Sequence, residues 1–209
     1  MEELPQATTG LRTGHHPSFL RASHLVPPNL VLASIVLLKR PEKTQPAMTV
    51  SPEITVQTVQ PQLLGAVLRE VLVKDIPATY DPAMDQVRAF VASHEGIQAP
   101  DAREVLLYRH GTGRSAPMNV YFGIESTRSF DPDGEVTSVE IPAGSVATAV
   151  HKGPYKNLFD AHTKVIEWMK ENGWTSAGWS WEVYEKQKEG AGEEELETGI
   201  FYLLKRAPV

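Results

Sequence analysis

The chain repeats itself. Residues 54–125 and 136–204 run through the same succession of strand, helix and two-stranded hairpin. The helix entered at Pro82 answers the one entered at Pro154, and Tyr108 answers Tyr184 at an offset of 76. Residues 121–124 answer 200–203 at an offset of 79, the difference reflecting hairpin loops of unequal length. A duplicated strand-helix-strand-strand unit predicts an α+β fold: an antiparallel sheet with two helices on one face and a trough across the pseudo-two-fold axis on the other.

Local patterns support each step. Alternation over residues 54–59 predicts a strand, and 63–73 continues it or makes a second one after Pro61-Gln62. Asp81 as N-cap and Pro82 at the first helical position open a helix whose stripe is Met84, Val87, Phe90, Val91 and His94, with Gly96 at its end. Residues 104–109 and 119–125 are the arms of a hairpin, and Asp131-Pro132-Asp133-Gly134 is the turn between the halves. In the second half, residues 136–141 and 145–151 are strands. A helix led in by Gly153-Pro154 should bury Tyr155, Leu158, Phe159, His162, Val165, Ile166 and Met169, with Asn172-Gly173 as its cap. His162 on that stripe reads as a core histidine. The closing strand covers residues 199–204.

Helices should cover the more apolar face of such a sheet. Val105, Leu107, Val120, Phe122, Ile124, Trp181, Val183, Phe201 and Leu203 are therefore assigned to the core. That leaves Leu106, Tyr108, Tyr121, Glu182, Tyr184, Ile200 and Tyr202 for the trough. Four tyrosines around one carboxylate exceed what a solvated sheet face needs and suit a ligand that is aromatic, cationic or both. Trp179 and Trp181 flank Glu182, an apolar setting that would raise its pKa towards that of a general base.

Composition narrows the classes of function. The chain has 209 residues, no cysteine and a net charge of −6, which excludes disulfide frameworks and thiolate zinc sites and points to a cytoplasmic protein. Residues 48–209 carry 15 basic and 23 acidic side chains; with no basic stripe, direct nucleic-acid binding is not expected. Residues 1–47 hold six of the sixteen prolines and read as a disordered extension, with translation of the native protein starting at Met48. The tandem His15-His16 is incidental. The apolar run over residues 30–38 is too short to span a bilayer, and Lys39-Arg40 follows it where a secretory signal would show small residues.

The run Val150-His151-Lys152-Gly153-Pro154-Tyr155, the helix ending Glu171-Asn172-Gly173-Trp174, and Trp181-Glu182-Val183-Tyr184 before an apolar closing strand resemble the GyrI-like small-molecule-binding domain. That family is related to the effector-binding domains of AraC-type and multidrug-sensing MerR-type transcription regulators. The resemblance covers about residues 50–207. It implies a duplicated two-layer SHS2/SOUL-like domain over residues 48–209, with pseudo-repeats about 50–127 and 135–207 and a cleft for hydrophobic, often cationic, molecules. It implies that Glu182 meets the ligand's charge and that Tyr108, Tyr121, Tyr155, Tyr184 and Tyr202, with Trp181, surround it. The second acidic residue and the proline often found on the family's final strand are replaced here by Ile200 and Leu204, and residues 1–47 are not expected to form a helix-turn-helix.

Three functions follow from this resemblance. The first is a stand-alone module that sequesters or senses drugs and toxins. The second is a hydrolase of strained electrophiles in which Glu182 activates water and Tyr184 donates to the developing oxygen. The third is a protein-interaction domain resembling gyrase inhibitors, using the acidic loop over residues 185–195. No metal or other cofactor is implied; haem, bound by another family of similar fold, would have only His151 to hold it.

Overall fold

The computed structural model describes residues 53–111, 116–187 and 190–208. The expected N-terminal extension, with His15-His16, the apolar run and the start at Met48, lies outside the described residues. Among the described residues the order is β1 (Thr55–Val59), β2 (Gln62–Val71), α1 (Ile76–Ser93), β3 (Glu104–Arg109), β4 (Met118–Ser126), β5 (Val136–Ile141), β6 (Gly144–Lys152), α2 (Leu158–Glu171), β7 (Trp174–Tyr184) and β8 (Glu197–Arg206). All eight strands join one antiparallel sheet in the order β1-β6-β8-β7-β3-β4-β2-β5.

Each half contributes β-strands on one side of the β3–β7 seam, except that its first strand crosses over: β1 pairs with β6 of the second half, and β5 with β2 of the first. Only Gln60-Pro61 link β1 to β2, and only Pro142-Ala143 link β5 to β6. In a flat sheet six strand spacings would separate each linked pair by roughly 29 Å, whereas two connecting residues reach roughly 11 Å. The sheet must therefore curl until its margins approach.

The curl buries the concave face without any helix. Leu64, Val105 and Leu107 are fully buried there and Trp181 is 3% exposed; they form one apolar cluster with Ala66, Ile141, Val146 and Val183. Helix α1 packs instead on the convex face over β2 and β4, and α2 over β6 and β7. The expected architecture of an antiparallel sheet with two helices is present, but the face assignment is exchanged on β3, β7 and β8 and holds on β4. The helices cover Leu106, Tyr108, Ile200 and Tyr202 together with Val120, Phe122 and Ile124. Covering the most apolar face with helices is unnecessary when a curled sheet closes that face on itself.

Smaller differences have local causes. Helix α1 begins at Ile76, with Pro77 in its first turn, and runs through Pro82. Pro82 removes the bond to the carbonyl of Ala78, but both residues are exposed, so water can satisfy that carbonyl. The two halves of the first apolar stretch are separate strands, because Pro61 breaks the ladder. On α2 the buried positions are Leu158, Ala161, Val165 and Met169, while Phe159 is 38% exposed.

If the concave face is a true core, Trp181→Ala will cost about 3–5 kcal/mol, as for other buried aromatic truncations. Urea denaturation monitored by circular dichroism measures this; a loss below about 0.5 kcal/mol would mark Trp181 as a surface residue.

Candidate functional site

Strands β3 and β7 form the seam of the pseudo-two-fold. Leu106 pairs with Glu182, Tyr108 with Ser180 and Glu104 with Tyr184; on the far side of β7, Glu182 pairs with Ile200 and Ser180 with Tyr202. Alternation along these strands turns Glu182, Tyr184, Tyr108 and Tyr202 to the convex face, into the space between α1 and α2. Glu182 is 6% exposed. Its Oε2 accepts hydrogen bonds from the hydroxyls of Tyr108, at 2.9 Å, and Tyr184. Its Oε1 lies 2.7 Å from His162 Nε2 on α2, and because a carboxylate only accepts, that nitrogen carries the proton. His162 Nδ1 lies 2.9 Å from the Tyr202 hydroxyl.

Burial would raise the Glu182 carboxyl, but the hydrogen bond and charge of His162, with the hydroxyls of Tyr184 and Tyr108, more than offset it and hold the carboxyl below the usual range. The expected elevation by flanking tryptophans is therefore corrected: Trp181 is on the concave face, and the neighbours of Glu182 are donors. The phenols shift the other way. Burial, then the nearby Glu182 charge, pushes Tyr108 and Tyr184 well above the ordinary range and raises Tyr202 as well. Burial, then His162, lowers His110, whose Nε2 lies 2.7 Å from Ser180 Oγ.

Of the residues expected to line the site, the structure brings together Glu182, Tyr108, Tyr184, Tyr202 and Tyr155, whose ring meets that of Tyr184 edge-on at 5.4 Å. It separates two others. Tyr121 stacks on Trp179 at 6.4 Å and Trp181 on Phe201 at 5.4 Å, all on the concave face. His151 makes a turn contact, with Nε2 3.1 Å from the Pro154 carbonyl oxygen.

The structure adds groups that the sequence pattern leaves unassigned. His162, read as a core residue, reaches Glu182 directly. From α1, Tyr80 donates to Glu104 Oε2, while Arg88 Nε lies 2.9 Å from Glu104 Oε1. Tyr80 and His162 each stand four residues after the first residue of their helix, so the repeat itself contained the signal once both helix starts were correctly placed. A cavity of about 630 Å³ lies elsewhere, at the open end of the concave face, lined by Val150, Val183, Leu196 and Phe201 with charged side chains such as Arg103 and Glu194. Among the described residues no cluster of three or more His, Asp or Glu could hold a metal, and no helix is long and apolar enough to cross a membrane.

Residues 53–205 match the GyrI-like small molecule binding domain, and the chain belongs to that family. Its fold is similar to the C-terminal domain of EcmrR, with a TM-score of 0.63 and 19% identity over 75% of this chain and 99% of that one. The same likeness holds for EcmrR in its complex with DNA, at TM-score 0.62 and 20% identity over 75% of this chain and 59% of that one. SAV2435 bound to tetraphenylphosphonium is similar at TM-score 0.55 and 13% identity, over 73% of this chain and 94% of that one. At such identities these likenesses are of fold. No curated protein matches the chain in sequence.

The depressed Glu182 pKa predicts a specific acid limb of stability. Below the ordinary value of 4.5 the unfolded chain binds more protons than the folded one, so the contribution of this group is complete above that pH and is lost as pH falls through the lower folded value. Glu182→Gln is expected to cost about 1–3 kcal/mol at neutral pH and to flatten this limb. Urea titrations from pH 3 to pH 7 compare the two slopes; parallel curves would refute the assignment.

Proposed function

We propose that this GyrI-like domain binds hydrophobic or aromatic cations between α1 and α2, with Glu182 as the charge partner and Tyr108, Tyr155, Tyr184 and Tyr202 as the surrounding rings. The observation that carries this reading is a carboxylate 6% exposed that accepts from Tyr108 and Tyr184 and faces His162, with the ring of Tyr155 against Tyr184 and that of Tyr202 against His162. An ionised group in such a setting is strongly undercompensated by solvent, so a cation that stacks on the rings gains on both counts. Each desolvated cation–ring contact contributes about 2 kcal/mol. A ligand reaches Glu182 by displacing the half-buried rings of Tyr155 and His162. Tetraphenylphosphonium, the molecule bound to SAV2435, is a lipophilic aromatic cation of this kind. Capture without chemistry makes the domain a sequestering or sensing module, and the acidic character of residues 48–209 disfavours direct nucleic-acid binding.

The hydrolase reading places a different demand on the same residues. A general base works best with a pKa near the working pH, and the hydrogen bonds around Glu182 lower its pKa instead. Tyr184 as a proton donor is likewise shifted away from neutrality. Both shifts favour binding over turnover.

Calorimetry with tetraphenylphosphonium and with neutral triphenylphosphine oxide tests the charge role. Glu182→Gln should weaken the cation by about tenfold or more, the equivalent of ~1.4 kcal/mol, and leave the neutral compound nearly unchanged. Equal losses for the two would remove Glu182 as charge partner, and turnover of a strained electrophile that disappears in Glu182→Gln would favour the hydrolase.

A further inference from the structure

Each of the two helices reaches down to a strand carboxylate, and the basic partners they supply differ in kind. On the α1 side, Glu104 is held by Tyr80 and by Arg88, whose guanidinium nitrogens lie 2.8 and 2.9 Å from Oε1. Arginine keeps its charge at every physiological pH, and burial, which would lower this one, is outweighed by Glu104, so the Arg88 pKa is raised. Glu104 is thereby permanently neutralised. On the α2 side, Glu182 has His162, which stands in its helix where Tyr80 stands in α1, with Nε2 2.7 Å from Oε1, and histidine is the side chain whose charge changes near neutrality.

The surroundings allow His162 to hold either charge. When the ring is neutral, Nε2–H donates to Glu182 and Nδ1 accepts from the Tyr202 hydroxyl; when it is protonated, Nδ1–H donates to the oxygen of that hydroxyl. Tyr202 can both donate and accept, so its oxygen meets Nδ1 in either state. The other titratable groups around the ring are Glu182 and Tyr184 from β7, Tyr108 from β3, His110 just beyond β3, and Tyr155 ahead of α2. Of these only His110 shares the titration range of histidine, and burial, then the proximity of His162, disfavours its charged form.

We infer that His162 is a resident counter-ion for Glu182 that a cationic ligand must replace, so that the site takes cations in exchange for a proton. This rests on the proposed binding of cations over Glu182 and adds its control. A protonated His162 satisfies Glu182 and repels a second positive charge; a neutral His162 leaves the carboxylate's charge for the ligand. Binding and protonation are then reciprocally linked. Acid conditions favour release and alkaline conditions favour capture, and neutral aromatic ligands are indifferent to pH.

Calorimetry of tetraphenylphosphonium binding between pH 5 and pH 8, in buffers of different ionisation enthalpy, reads the exchange directly. For the native protein the dissociation constant should fall with rising pH by up to about tenfold per pH unit, with up to one proton released, as one-proton linkage requires. His162→Asn should bind the cation with a flat pH profile, no proton release and higher affinity at pH 5. Imidazole NMR of the native protein provides a reading independent of any variant's folding: the ligand should move the His162 titration to lower pH. Flat binding by the native protein, or a slope that persists in His162→Asn, overturns the exchange. If Glu182→Gln still discriminates against the cation in the first case, the cation site stands without its proton. If the native protein binds no tetraphenylphosphonium at any pH, both readings fall.

Discussion

Gln60-Pro61 and Pro142-Ala143 each join strands that belong to different margins of one sheet. No two-residue connection can cross a flat eight-stranded sheet, so these links force it to curl, and the rest of the molecule follows. The concave face closes on Leu64, Leu107, Trp181 and Phe201 and becomes a core in its own right. The convex face is left for the helices, which each bury a stripe on their own half and leave the β3–β7 seam between them. The exchange of β1 and β5 between the halves also ties the repeats together, so neither half completes its share of the sheet alone.

The seam concentrates polar chemistry because packing there is shared by two helices and owned by neither. Glu182 and Glu104 both stand on it, two residues apart in register. Each charge is balanced by hydroxyls and by one basic side chain from the nearer helix. A buried carboxylate is tolerated when its lone pairs are occupied, and here the occupying groups are the same rings that a ligand would contact. Under the proposed binding, stability and recognition draw on one hydrogen-bond network, with Arg88 making the first half's pair permanent and His162 leaving the second half's pair adjustable.

Much of this was legible one residue at a time. The alternation of Trp181, Glu182, Val183 and Tyr184 separated the two faces of β7 correctly, and the repeat placed Tyr108 opposite it. Alternation along β4 alone leaves Tyr121 for the trough and the resemblance adds Trp181, whereas the register pairs both with Leu107 and sends both to the concave side. Tyr80 was missed because Asp81-Pro82 carries a strong helix-start signal. The helix began a turn and a half earlier, since burial of Ile76 and Tyr80 on β2 and β4 outweighs one hydrogen bond lost at Pro82.

By itself the sequence determined the elements, their duplication and the strand that carries the central carboxylate, because hydrophobic period, capping and turn residues are local properties. Only the tertiary structure decided which face of the sheet the helices cover and which side chains surround Glu182. Those depend on the curl imposed by two short connections between distant strands, and on distances between α2 and β7 that no spacing along the chain encodes. His162 shows the difference: its helical position was plain from the sequence, but its role rests on a carboxylate twenty residues away that the fold brings to 2.7 Å.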